Sequence, residues 1–298
     1  MSERNFNQLL EAQWTRGNLV CVGLDSELDK IPLFVREKAI SSSDAIAAFN
    51  RAIVNATKDV VCAYKSNMAF YESCGTSGLN ALLKTIFYIR EAAPDVPVIL
   101  DAKRADIGNT NNGYAVAAFD YFKADAITVH PYLGQEALEP FLKRANKGII
   151  VLCRTSNKGA GEFQDLPVPI LVRPPVQGGD ASRDFTSSTI PLYQRVAYNV
   201  ACKWNNNGNC AVVVGATYPD ELAEVREIVG NMPILIPGIG AQGGDLEKTV
   251  KAGRDNRGRG MIINSSRGII FASAGEDFAE AARRETIKLH EAIKTALN

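Results

Sequence analysis

The run VPVILDAK, residues 96–103, decides how the chain folds. It is apolar from Val96 to Leu100 with no polar alternation, the pattern of a parallel strand buried on both faces. Seven further runs read the same way: LVCVGLD (19–25), VVCAYKSN (60–67), AITVHP (126–131), GIIVLCRTS (148–156), CAVVVGAT (210–217), MPILIPGIG (232–240) and GMIINSS (260–266). Helical stretches separate them. SSSDAIAAFNRAIVNATKD (41–59) opens on Ser and Asp caps and sets Ile46, Phe49 and Ile53 on one face. DLEKTVKAG opens on Asp245 and closes on Gly253, and residues 276–297 form a long amphipathic helix ending the sequence. Eight alternations of strand and helix predict a (β/α)8 TIM barrel of the α/β class, with a doubly wound open sheet as the alternative. Residues 1–298 read as a single domain carrying one long insertion at about 157–190. That segment is rich in Gly and Pro, and its length predicts a partly ordered lid or flank.

Composition narrows the functional classes. The 298 residues are 46% hydrophobic and 22% charged, ordinary for a globular chain with ample core. Thirty-three basic residues balance 33 acidic ones, so nothing suggests nucleic acid or an anionic membrane as partner. The N-terminal MSERNFNQLLEAQW has no apolar stretch long enough for a signal peptide, and no window approaches a membrane span. Six cysteines are scattered without a C-x-x-C pair, and Cys21, Cys62, Cys153 and Cys210 fall inside the strand runs, as in a reduced cytoplasmic protein.

In a barrel of this kind, chemistry gathers where the strands end. The first three strand ends supply Asp25, Lys65, Asp101 and Lys103, with Asp106 just beyond. Side chains two apart on a strand share a face, so Asp101 and Lys103 are expected to point together into the mouth. Adjacent Arg104 then faces the other way, for structural or interface work. Three readings are open: a structural ion network, an Mg²⁺ site on Asp25, Asp101 and Asp106, or a catalytic cluster. Lys65 and Lys103 would repel a dication. With only His130 and His290 in the chain, a histidine zinc site or a Ser-His-Asp triad has little to build on. His290 reads as a solvated helix residue, and His130 as a mouth-lining or satisfied strand-end group. Carboxylates flanking Lys103 favour its ammonium form, hence a general acid and not a Schiff-base nucleophile.

A second constellation follows the last two strand runs. IPGIGAQGGD (236–245) is rich in backbone N–H groups and leads into a helix, and NSSRGI (264–269) carries Arg267, whose guanidinium forks onto phosphate oxygens. The loops after strands seven and eight are the frequent phosphate site of this fold. Phosphate at one side and charged chemistry at the other predict a small phosphorylated substrate lying across the mouth.

The stretch LDAKRADIGNT (100–110) matches D-x-K-x-x-D-I-x-x-T, the signature of orotidine 5'-phosphate decarboxylases. With CVGLD, CAYKSNMAFYE, VHPYLG and IPGIGAQGGD, the chain resembles the longer bacterial-type branch of that family along nearly its whole length. Its length leaves no room for the phosphoribosyltransferase domain to which the decarboxylase is fused in some organisms. The resemblance implies cofactor-free, metal-free conversion of orotidine 5'-monophosphate to UMP and CO2 in de novo pyrimidine biosynthesis. Lys65, Asp101, Lys103 and Asp106 match the family's tetrad, with Lys103 protonating C6 and Asp101 lying against the substrate carboxylate. The same resemblance gives the ribose hydroxyls to Lys65 and Asp25, the pyrimidine edge to Ser156, and a bridge from base to phosphate to Gln242. Gly240 and Arg267 would hold the phosphate and Pro237 would line the base pocket. Asp106, Ile107 and Thr110 would reach the other subunit's site in a homodimer. One departure is Ser66, where the family pattern has proline before Asn67. The rival readings are a metal-dependent sugar-phosphate lyase or decarboxylase on the same barrel, and a non-catalytic nucleotide-binding protein.

Overall fold

The computed structural model describes residues 4–171, 187–239 and 245–298. Eight parallel strands close into a barrel: β1 (Val20–Gly23), β2 (Ala63–Asn67), β3 (Val98–Arg104), β4 (Ala126–Val129), β5 (Gly148–Arg154), β8 (Cys210–Val214), β9 (Ile234–Pro237) and β10 (Met261–Ser265). Seven lie inside one of the eight sequence runs, and β3 passes the end of its run by one residue, Arg104. The barrel shuts where β1 pairs with both β2 and β10. Every residue of β1, β4 and β8 is buried, because the barrel interior covers one face and the outer helices the other. The open-sheet alternative is thereby set aside.

The anticipated helices form where their caps lie. Ser41 caps Ser42–Thr57 by accepting from the Asp44 N–H, and Ile46, Phe49 and Ile53 are fully buried. Asp245 caps Leu246–Gly253 by accepting from the Lys248 N–H at 3.1 Å. Phe278–Leu297 is the last helix. One element that the sequence reading passed over closes the barrel floor: helix Phe6–Thr15 buries Phe6, Leu10 and Trp14, and Trp14 Nε1 donates to Met261 O at 2.9 Å. Gly148 at the foot of β5 makes room for it, since a Cβ there would lie 2.3 Å from the Phe6 ring.

Two expectations are corrected or extended. His290 is buried, not solvated: with Ala282, Thr286 and Ile293 it lies on the inward stripe of the last helix. Burial, and then Lys294, lower its pKa from the ordinary imidazole value. The long insertion contributes an antiparallel pair, β6 (Pro167–Leu171) and β7 (Ser187–Pro191), ahead of helix Leu192–Asn199. Within the 157–190 insertion, residues 172–186 lie outside the described residues. Among the described residues, no helix is long and apolar enough to cross a membrane.

Candidate active site

The C-terminal ends of the strands ring a cavity of about 640 Å³. Its charged side is built from β1, β2 and β3, whose register puts Gly23 beside Lys65 and Asn67 beside Asp101. Lys65 Nζ lies 3.0 Å from Asp101 Oδ2 and 3.7 Å from Asp25 Oδ1. Asp25 Oδ1 is fixed in turn by the Asn67 N–H at 3.0 Å. Lys103 Nζ donates to the other Asp101 oxygen, Oδ1, at 2.7 Å.

Asp25, Lys65 and Asp101 are buried, whereas the Lys103 side chain is 48% exposed. Burial by itself would push the Asp101 carboxyl up, but the Lys65 and Lys103 ammoniums outweigh it and hold that carboxyl well below the usual carboxylate range. For Lys65, burial disfavours the charge, yet Asp101 and then Asp25 overcome it and raise its pKa above the ordinary lysine value. The result is an ionised row in which Lys65 is held between carboxylates and Lys103 presents its head to the cavity. Both lysines line the cavity, the second far more exposed than the first.

Strand alternation anticipated the Asp101–Lys103 pairing but not how it is made. The β3–β4 register shifts between Leu100 and Arg104, and Lys103 has φ 47°, in the left-handed region. A non-glycine residue held there stores about 1–3 kcal/mol of strain, which commonly marks functional sites. Thr128 on β4, not foreseen as a site residue, is hydrogen-bonded at this point to both Lys103 N and Asp101 Oδ1. Its signal was faint: a lone hydroxyl in AITVHP, where threonine is also an ordinary strand former. As expected, Arg104 turns away, pairing with Glu72 and lying 5.3 Å from the Tyr114 ring centroid. His130 is not among the cavity-lining residues, and its backbone N–H donates to Arg104 O at 3.2 Å.

The opposite side of the cavity has little charge. Ser156 lines it after β5, pressed so close to β8 that a Cβ on Gly215 would come within 2.6 Å of the Ser156 Cβ. Thr155, its neighbour, is gripped by Gln164, which accepts from the Thr155 N–H at 2.8 Å and donates to Thr155 Oγ1 at 2.9 Å. Pro237 and Arg267 also line the cavity. Arg267 begins the short helix Arg267–Ile270 and is exposed, and its guanidinium has no hydrogen-bond or ion-pair partner among the described residues. Gly240 and Gln242 lie outside the described residues.

Asp106, Ile107 and Thr110 do not line the cavity of their own chain. Asp106 Oδ1 accepts from the Ile107 N–H at 2.6 Å, while Asn111 Nδ2 donates to Asp106 O at 2.6 Å, so the turn is locally braced. Ile107 is 63% exposed. Within one chain, then, the expected four-residue tetrad is three residues with a fourth set outside. Lys65 also occupies the space between Asp25 and Asp101, the two nearer members of the possible Mg²⁺ set. Among the described residues, no group of three His, Cys, Asp or Glu is placed to hold a metal ion.

Residues 18–284 match the model of the orotidine 5'-phosphate decarboxylase / HUMPS family. The chain is 45% identical over 294 residues to the orotidine 5'-phosphate decarboxylase of Cellvibrio japonicus, covering 98% of this chain and 99% of that protein. Against the Cupriavidus metallidurans orotidine 5'-phosphate decarboxylase it is 48% identical over 289 residues, covering 97% of each. Among solved structures it is similar to the OMP decarboxylase of Leishmania donovani, with TM-score 0.76 and 35% identity over 98% of this chain and 99% of that one. It also superimposes on the UMP synthase of the same organism, with TM-score 0.81 and 36% identity; there 99% of this chain spans 57% of the longer one.

Proposed function

The chain belongs to the orotidine 5'-phosphate decarboxylase family, and from that premise we propose how its own residues convert orotidine 5'-monophosphate to UMP and CO2 in pyrimidine biosynthesis. Arg267, with Gly240, takes the phosphate. Lys65 and Asp25 take the ribose hydroxyls, Ser156 reads the pyrimidine edge, Pro237 packs on the base, and Gln242 spans base and phosphate. Asp101 lies against the substrate carboxylate. The C6–carboxylate bond breaks, CO2 leaves, and its electron pair stays on C6. Lys103 Nζ delivers a proton there, giving UMP, and the resulting amine regains a proton from water.

The observation that carries this reading is the asymmetry of the two lysines. Lys65 is buried and held between two carboxylates, while Lys103 is anchored by one and half-exposed at the cavity. A unit charge about 4 Å from the developing carbanion, at an effective dielectric near 20, is worth about 4 kcal/mol. That corresponds to roughly a thousandfold in rate, so one ammonium does not supply the whole acceleration. Binding energy from the phosphate and ribose has to be spent on aligning C6 with it.

The reading includes a homodimer in which Asp106, Ile107 and Thr110 complete the partner's site. Support comes from the exposed apolar side chains around this corner of the barrel: Ile107, Val116, Leu133 and Tyr132, the last 83% exposed. It also treats residues 1–298 as one functional domain in the cytoplasm, in keeping with six free cysteines, four of them buried.

The test follows the loss of orotidine 5'-monophosphate absorbance with the purified protein, with and without EDTA. Equal turnover in chelator is expected. Activity lost to EDTA and restored by Mg²⁺ would favour the metal-dependent lyase instead, and UMP binding without any turnover would favour a nucleotide-binding protein.

A further inference from the structure

Thr128 is a fully buried hydroxyl on β4, and both of its hydrogen bonds end on the proposed chemical pair. Its Oγ1 donates to Asp101 Oδ1 at 2.8 Å and accepts from the Lys103 N–H at 2.9 Å. The second bond falls where the β3–β4 register shifts and regular ladder pairing is interrupted. The hydroxyl therefore does for Lys103 what a strand carbonyl does elsewhere, at the residue whose backbone is left-handed. Asp101 Oδ1 consequently has two donors, the Lys103 ammonium and the Thr128 hydroxyl, while Oδ2 has Lys65.

We propose that Thr128 is a positioning residue for the decarboxylation: one hydroxyl fixes both the backbone of the proton donor and the rotation of the carboxylate beside it. The inference rests on Lys103 being the proton donor. The consequence is sharpest during proton transfer. When Lys103 gives its proton to C6, its charge disappears and Asp101 Oδ1 loses its ion-pair partner. Thr128 still donates to that oxygen, so the carboxylate keeps its orientation instead of swinging towards Lys65. Because Thr128 acts through Asp101 and Lys103, its removal should affect the reaction and spare the binding of product.

The test compares Thr128→Val, which removes the hydroxyl at nearly constant size, with Thr128→Ser, which keeps it. For the Val variant, kcat is expected to fall by roughly 10- to 100-fold, the scale set by small misplacements of reacting groups. KM for orotidine 5'-monophosphate and Kd for UMP should stay near wild type, and Thr128→Ser should recover most of kcat. Wild-type kcat in the Val variant would overturn the proposal, as would equal losses in Val and Ser, or a loss confined to KM. If the Val variant does not fold, Thr128→Ala against Thr128→Ser makes the same comparison, with the same outcomes deciding it. A fully active Lys103→Ala would instead remove the donor reading itself, whereas an inactive Lys103→Ala beside an unimpaired Thr128→Val would refute this inference alone.

Discussion

The two sides of the cavity solve opposite problems. At the ends of β1, β2 and β3, charge is satisfied from within: Asp25, Lys65, Asp101 and Lys103 form a continuous row of ion pairs, three of the four residues buried. At the end of β10, Arg267 is exposed and, among the described residues, unpaired. The first side is organised before any ligand arrives, as electrostatic catalysis requires, because dipoles and charges fixed in advance need no reorganisation during the reaction. The second keeps a cation available for an incoming anion. In the proposed function, chemistry and anchoring are thus separated across one barrel mouth, and the difference shows in who holds each charge.

The largest effect that would break this comparison concerns Lys103 in the row and Asp106 outside it. Lys103→Ala and Asp106→Ala are each expected to lose roughly 10⁴-fold or more in turnover, as when a member of a concerted catalytic group is removed. If Asp106 serves the partner's cavity, mixing the two inactive proteins under subunit exchange creates hybrids with one intact site each. A two-fold dimer then recovers about a quarter of wild-type activity, since half the dimers are hybrid and half their sites are native. No recovery, with exchange demonstrated, would return Asp106 to its own chain.

A smaller effect sharpens the energetics. Lys65→Ala leaves Asp25 and Asp101 without their shared cation, and removing one partner of a buried pair typically costs about 3–5 kcal/mol. The pH dependence has a definite sign. Asp101 has a depressed pKa, so its contribution is full above the unfolded carboxylate value of about 3.9 and is lost as pH falls through the folded value. Lys65 has a raised pKa, so its contribution is full below about 10.4 and is lost as pH rises through the folded value. Denaturant unfolding should show the gap between wild type and Lys65→Ala at full size near neutrality, closing towards acid as the orphaned carboxylates take up protons. A gap unchanged into the acid range would mean that the pairs contribute no electrostatic stability.

Much of this arrangement was legible in the sequence because it rests on short-range patterns. Strands buried on both faces leave unbroken apolar runs, and all eight were visible; Asp101, Lys103 and Asp106 sit within one short stretch of a specific motif. What escaped depends on contacts between distant residues or on local irregularity. Strict alternation brings Lys103 to the right side, but gives no hint of its left-handed backbone or of the Thr128 hydroxyl reaching it from β4. The β6–β7 pair was hidden by Pro167, Pro169 and Pro191, which weaken a strand pattern and are tolerated because a two-stranded ribbon has free edges. His290 was expected to be solvated and is buried. The spacing of Ala282, Thr286, His290 and Ile293 already marks the buried stripe.

The separation of chemistry from anchoring is tested most directly by the affinity for UMP, measured beside turnover in Lys103→Ala and Arg267→Ala. The account predicts wild-type UMP affinity in Lys103→Ala despite its lost turnover. In Arg267→Ala, affinity should be about 10- to 100-fold weaker, as expected for losing charged hydrogen bonds of about 1.5–3 kcal/mol. Near-normal turnover in Lys103→Ala, or UMP affinity falling there as far as in Arg267→Ala, would contradict it.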